Sequence, residues 1–234
     1  MNITLMICAR GGSKGVPWKN KLSPFKDQNI YERLHEKIKK ASSDKLNLIV
    51  NTDNREIEIL AKSAGLSVFK RNEKLGLDIS RIVEVNYQYK MESGDNFDYL
   101  VNLSPVAPFL KISTISKTLE IIRNLKPQCG GTASKHQNNS HPFLAMHKEG
   151  ENSKYLLNEK IRYPRQSRKE TFYANGCIFF REANLIRGDN ISNDLTKKFF
   201  PIFIDEIESL NIDSIQDWEI AKLIASSNKF NCYH

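Results

Sequence analysis

Apolar residues along this 234-residue chain come in short blocks separated by amphipathic stretches. Ile3-Thr4-Leu5-Met6-Ile7-Cys8 is an apolar run with β-branched residues that stops at Arg-Gly-Gly, which predicts a buried strand. From Ile30 the apolar positions fall at Ile30, Leu34, Ile38 and Ala41, the spacing of one helix face, and the lysines of Lys37-Ile38-Lys39-Lys40 read mainly as its solvated side. Leu46 to Asn51 predicts a second strand, Glu56 to Ala64 a helix ended by Gly65, and Val68-Phe69 a short third strand. Ile79 to Met91 reads as a helix, Tyr99 to Leu103 as a strand, Ile112 to Leu125 as a helix stopped by Pro127, and Cys129 to Ala133 as another strand. From Ser134 to Thr171 the rhythm breaks into a polar stretch, and Asn175-Gly176-Cys177-Ile178-Phe179-Phe180 resumes the core. Alternating strands and helices imply an α/β fold built on a mainly parallel sheet with helices on both faces, whose ligand site lies beyond the carboxyl ends of the strands.

The stretch after the first strand occupies that place. Gly11, Gly12 and Gly15 let the backbone take positive φ and approach a ligand closely, so that successive N–H groups converge on anionic oxygens. Arg10, Lys14 and Lys19 add three cations, a count that suits a triphosphate better than a single phosphate. On composition alone a plain solvated turn accounts for the same residues. The Walker A spacing and the Gly-x-Gly-x-x-Gly fingerprint are both absent.

Ala9-Arg10-Gly11-Gly12-Ser13-Lys14-Gly15-Val16-Pro17, followed by Lys19-Asn20, closely resembles the N-terminal signature of the acylneuraminate cytidylyltransferases, the CMP-sialic acid synthetase family. The resemblance implies a Rossmann-like, nucleotidyltransferase-type sheet over residues 1–234 as one domain. It implies transfer of a cytidylyl group from CTP to the anomeric hydroxyl of a nonulosonic acid, of the sialic, legionaminic or pseudaminic kind, with release of pyrophosphate and help from magnesium. On this reading Ala9 to Lys14 and Asn20 hold the nucleotide, and Arg10, Lys14 and Lys19 stabilise charge on the triphosphate and the leaving pyrophosphate. Phe69-Lys70-Arg71 and Asp78-Ile79-Ser80 resemble the region beside cytosine, which makes Arg71 and Ser80 candidates for the base edge. Residues 134–171 correspond to an excursion that builds a homodimer.

The acceptor side carries the resemblance less evenly. Asn175-Gly176 matches the family segment whose asparagine faces the sugar, and Arg162-Tyr163-Pro164-Arg165-Gln166-Ser167 matches its basic approach, with Arg165 as the carboxylate contact and Ser104 and Gln166 as further acceptor candidates. Leu103-Ser104-Pro105-Val106-Ala107-Pro108-Phe109-Leu110 stands where the family has Leu-Gln-Pro-Thr-Ser-Pro-Leu-Arg. Ser104 replaces a glutamine and Leu110 an arginine, a loss of polar contacts that changes substrate preference. Leu210-Asn211-Ile212-Asp213-Ser214 stands where the family has Asp-Ile-Asp-Thr. In a strand Asn211 and Asp213 face the same side, so both are candidate magnesium ligands, with Asp213 carrying the charge. Asp217 reads either as part of that site or as the helix cap partner of Ser214.

Composition narrows the field without choosing the activity. Hydrophobic residues make up 40% and charged residues 26%, ordinary for a globular chain, and no run approaches the ~18 apolar residues of a membrane span. A signal-type N-terminus is absent and the scattered Cys8, Cys129, Cys177 and Cys232 read as free thiols, which gives a cytoplasmic expectation. The net charge of +8 fits an anionic small substrate, and without an aromatic recognition motif it does not point to nucleic acid. His136, His141 and His147 match no zinc spacing and read as loop residues. Three other readings stay open: a nucleotidyltransferase using another nucleotide or a sugar phosphate, a non-catalytic nucleotide-binding relative, and an RNA-binding protein.

Overall fold

The fold is that of a computed structural model described for residues 1–12, 15–25, 28–44, 46–77, 80–137, 140–157, 166, 168–188 and 198–227. Seven strands form one sheet: β1 (Ile3–Cys8), β2 (Asn47–Thr52), β3 (Ser67–Lys70), β4 (Tyr99–Leu103), β5 (Cys129–Lys135), β8 (Phe172–Glu182) and β9 (Phe199–Phe203). Their order is β3-β2-β1-β4-β8-β5-β9, and β6 (Met146–Glu149) with β7 (Asn152–Tyr155) makes a separate antiparallel hairpin. Pairings among β1, β2, β3 and β4, and between β5 and β9, are parallel. β8 alone runs against its neighbours, wedged between β4 and β5.

Among the described residues five α-helices flank the sheet: α1 (Ile30–Ala41), α2 (Arg55–Ser63), α3 (Ile82–Glu92), α4 (Ile112–Leu125) and α5 (Ile215–Ser226). Side-chain alternation along the strands sorts them onto the two faces. Leu5, Ile7, Val101 and Leu103 point to the face where α1, α2 and α4 pack through Leu34, Ile38, Ile57, Ala61, Ile115 and Leu119. Met6 and Leu100 point to the opposite face, against Tyr89 of α3, Phe97 and Ile186. A third cluster of Val16, Phe109, Ile212 and Ala221 lies beneath the carboxyl ends of the strands and welds the glycine-rich loop, the 104–111 loop and α5 together.

Most expected elements appear, with differences that have physical causes. α3 begins at Ile82, because the Arg81 N–H is taken by the Glu84 carboxylate in a capping arrangement that sets the start of the helix. β9 was not anticipated, since the Pro201 within Phe199–Phe203 argues against a central strand; it lies at the sheet edge, where a missing N–H is tolerated. Lys37 is 5% exposed and does not belong to a solvated face, whereas Lys39 and Lys40 are exposed as expected. The three histidines do not converge. His141 is buried, taking the Phe143 N–H on Nδ1 with Nε2 3.0 Å from the Lys169 carbonyl, while His147 lies exposed on β6. No group of three or more metal-ligating side chains occurs among the described residues. Cys8, Cys129 and Cys177 are free thiols, and no described helix is long and apolar enough to cross a membrane.

Candidate active site

The candidate site is assembled where β1, β2, β4 and β8 deliver their loops. β1 hands over to Ala9, whose N–H bonds the Asn51 carbonyl at 3.0 Å, so the chain leaves the sheet still paired. The Gly11 N–H donates to Asp53 Oδ1 at 3.2 Å, and a Cβ on Gly11 would lie 2.6 Å from the Asn54 side chain. The backbone here needs space, not positive φ. At Gly15 the constraint is tighter, because a Cβ would meet the Asp213 carbonyl at 2.2 Å. Contrary to expectation, Gly11, Gly12 and Gly15 are not among the positive-φ residues; among the described residues of this loop Trp18 takes the left-handed conformation, at φ 62°. Trp18 opens the short 3-10 turn Lys19–Lys21, and its ring stacks under the Lys21 ammonium at 3.5 Å.

That turn aims Lys19 across the site. Its Nζ lies 2.5 Å from Asp213 Oδ1, an ion pair linking residues 194 positions apart in the chain. Asn20 faces inward, its Nδ2 donating to the Arg10 carbonyl at 2.8 Å, and its own carbonyl takes the Tyr31 hydroxyl at 2.7 Å. Arg10, Lys19, Asn20 and Asp213 therefore belong to one constellation. Ser13 and Lys14, expected to join it, lie outside the described residues, as does Arg165; Gln166 is exposed.

Arg71 is buried, with Nε donating to Asn51 Oδ1 at 2.8 Å and Nη2 to the Asn51 carbonyl at 3.0 Å. This anchors the guanidinium beside Cys8. The Ser80 hydroxyl donates to the Lys74 carbonyl at 3.1 Å, which leaves its oxygen lone pairs for a ligand donor.

Further along the sheet β8 breaks register against β5: Gly131 pairs with Phe179, while Ala133 pairs with Ala174. The extra residues bulge at Asn175-Gly176, where Gly176 takes φ 77°. Thr132 fills the gap, receiving the Ile178 N–H at 2.9 Å and donating to Asn175 Oδ1 at 2.6 Å, while Asn175 Nδ2 donates to the Ser134 hydroxyl at 2.8 Å. Asn211 then ties this bulge to the next loop. Its Nδ2 donates to the Asn175 carbonyl at 2.7 Å and its Oδ1 accepts the Ser104 hydroxyl at 3.2 Å. Beneath them Cys177, 3.5 Å from Asn211 Nδ2, is fully buried, and burial pushes its thiol up to about 12.

Residues 211–213 do not form a strand, so the expected same-side projection of Asn211 and Asp213 is not the observed arrangement. Asp213 is exposed and faces Lys19, whereas the Asn211 amide is engaged with Ser104, Asn175 and Ser209. Asp217 resolves to a cap: its Oδ2 accepts the N–H groups of Asp213 and Ser214 and the Ser214 hydroxyl, and Ser214 caps the Asp217 N–H in return. Burial raises its carboxyl, but these hydrogen bonds, with the Lys19 charge, leave it below the usual carboxylate range. Asp53, Asn54, Thr132 and Ser134 were not singled out from the sequence. The signal for the first two was present, since Asn51-Thr52-Asp53-Asn54 ends an apolar strand at the same end of the sheet as the glycine loop.

Comparison with known proteins agrees with this architecture. Post-translational flagellin modification protein B of Campylobacter coli is 28% identical over 231 residues, covering 95% of this chain and 94% of its own. CMP-N,N'-diacetyllegionaminic acid synthase of Campylobacter jejuni is 28% identical over 233 residues, covering 96% and 95%. Among solved structures, CMP:2-keto-3-deoxy-manno-octonic acid synthetase complexed with CTP superposes with a TM-score of 0.70 at 13% identity, covering 96% of this chain and 98% of that one, a likeness of fold. Residues 4–212 match the family model described as cytidylyltransferase. Because that match runs from β1 through the glycine loop and the Asn175-Gly176 bulge to Ile212, the chain belongs to the cytidylyltransferase family.

Proposed function

We propose that this enzyme transfers the cytidylyl group of CTP to the anomeric hydroxyl of a nonulosonic acid of the sialic or legionaminic kind, giving the CMP-sugar and pyrophosphate. The observation that carries the reading is the convergence of the Arg10–Asn20 loop on Asp213 through the Lys19 ion pair and the Gly15 contact. The likeness to a CMP-N,N'-diacetyllegionaminic acid synthase supports the choice of acceptor.

In this mechanism the acceptor hydroxyl attacks the α-phosphorus in line, and pyrophosphate departs towards the glycine loop. The side chains of Arg10, Lys14 and Lys19 stabilise the negative charge that grows on the leaving group. Arg71 and Ser80 flank the base. Asn175, Gln166, Arg165 and Ser104 orient the acid sugar, with the guanidinium suited to bidentate contact with its carboxylate. Asp213 fits magnesium, since an exposed carboxylate beside a phosphate loop is the donor that such an ion takes together with phosphate oxygens and water. Bound there, the ion supplies Lewis-acid neutralisation of the phosphates. Lys19 then exchanges its carboxylate partner for phosphate oxygens. The Asn211 amide is read here as a tie within the acceptor floor.

The 134–171 segment, with the β6–β7 hairpin, is read as the homodimer contact of a cytoplasmic enzyme. Phe172, Tyr173, Phe203 and Met146 are exposed, and the Phe172 and Phe203 rings meet edge-on at 5.3 Å. Incubation with CTP, magnesium and a panel of nonulosonic acids, scored for pyrophosphate and for the CMP-sugar by mass, tests the reaction. Turnover with GTP and a sugar phosphate in place of these would overturn it.

A further inference from the structure

Lysine is rarely buried without a partner, and Lys37 on α1 is buried with its Nζ 2.7 Å from the Leu110 carbonyl and 3.2 Å from the Pro108 carbonyl. Both carbonyls lie in the loop that leads from Ser104 to α4. From the other side the same loop is held by Glu208, 3% exposed, whose Oε1 accepts the Lys111 N–H at 2.9 Å at the start of α4. Glu208 sits in the turn that runs on into Asn211 and Asp213. Less than two turns before Lys37, α1 carries Tyr31, fully buried, whose hydroxyl bonds the Asn20 carbonyl, and Asn20 in turn holds the Arg10 carbonyl. One helix thus touches both substrate loops from behind, at points about 9 Å apart along its axis.

We propose that α1 is the spacer that fixes the distance between the nucleotide loop and the acceptor loop, with Tyr31 and Lys37 as its positioning residues at the two ends. In-line transfer depends on that distance, because a displacement of about 1 Å between reacting groups costs on the order of 100-fold in rate. Burial, with Arg33 one turn away, lowers Lys37 to about 7, but the neutral amine still has two hydrogens for the two carbonyls, so the anchor holds on both sides of neutrality. Neither residue is placed to touch substrate. The assignment rests on the reading of the 104–111 loop as the acceptor side.

The experiment compares wild type with Lys37→Met and Tyr31→Phe by amide hydrogen exchange without substrates, by CTP binding, and by acceptor KM. Lys37→Met is expected to speed exchange over residues 104–112 and to raise acceptor KM at least ~10-fold, the scale of a lost buried hydrogen bond, with CTP affinity within about twofold. Tyr31→Phe is expected to do the reverse, weakening CTP and leaving acceptor KM within about twofold. Should Lys37→Met fail to fold, Glu208→Gln keeps the acceptor for Lys111 and removes the charge, with the same pattern expected in weaker form. Loss of both substrates together, or no change in either, overturns the spacer. If wild type converts no acceptor in the panel, the proposed reaction fails, and the localised exchange pattern still decides the role of α1.

Discussion

The Ser104 hydroxyl donates to Asn211 Oδ1 at 3.2 Å, so the two positions at which the chain departs most visibly from its resembling family are bonded to each other. The departures are coupled. With the Asn211 amide nitrogen directed at the Asn175 and Ser209 carbonyls, position 211 needs a group that both donates and accepts, which an ionised carboxylate does not do.

Asn211→Asp is therefore expected to destabilise the free enzyme by ~1 to 3 kcal/mol, since it removes a donor and sets a carboxylate oxygen against carbonyls. At this chain length that lowers Tm by about 2 to 4 °C per kcal/mol, which thermal unfolding without ligand reads directly. Apparent magnesium affinity is expected not to improve. A markedly tighter metal response with unchanged Tm would show that position 211 serves the ion.

The Asp213 side chain is 71% exposed, and the Lys19 stem, 19% exposed, keeps its apolar length as methionine, so the two replacements isolate the charges. Lys19→Met is expected to lower kcat/KM by about 100- to 1,000-fold, the range seen when one preorganised charge-stabilising donor is removed. Asp213→Ala is expected to abolish the magnesium dependence of turnover. Metal titration followed by pyrophosphate release checks both.

Lys37 also makes a prediction about pH. It faces Arg33 on its own helix and Glu208 from the turn after β9, and burial followed by the Arg33 charge holds it at about 7, against ~10.4 in the unfolded chain. Between these values the unfolded chain binds more protons, so the Lys37 contribution makes stability rise as pH climbs from 7 towards 10. The difference in Tm between wild type and Lys37→Met should shift in favour of wild type over that window and stay flat below pH 6. A flat difference throughout contradicts the buried site.

Phe203→Glu places a charge in the exposed aromatic cluster with Phe172. Analytical ultracentrifugation is expected to give a dimer for wild type at micromolar concentration and a monomer for the variant, with CTP affinity retained. A wild-type monomer would remove the dimer from the reading.

Much of this architecture was legible from local pattern. Tyr99–Leu103 and Ile112–Leu125 have the boundaries their apolar spacing predicts, and the glycine loop stands at the carboxyl end of β1 as strand logic requires. What escaped was set by partners remote in sequence. Nothing near Lys37 announces the Pro108 and Leu110 carbonyls that bury it, 71 and 73 residues away. Asn211 was read by its spacing to Asp213 because strand geometry was assumed, and the tie to Ser104 is visible only once β4 and the 205–213 segment are adjacent. The Asn175 bulge arises from a register shift against Thr132, which no single-strand pattern encodes.

The wedge of β8 between β4 and β5 has a consequence for how the molecule comes into being. A chain emerging from the ribosome has made both β4 and β5 before it reaches β8, and until then the two strands expose edges that have no final neighbour. Closing the sheet requires a loop of many tens of residues to return, a step that is entropically slow and leaves those edges open to wrong pairings. Insertion of β8 also creates the Asn175 bulge and the ladder that aligns it with Thr132 and Ser134. The bulge at which the acceptor sugar is proposed to sit therefore comes into existence in the same step that seals the sheet, so a nascent chain halted before that step holds the proposed nucleotide loop without it.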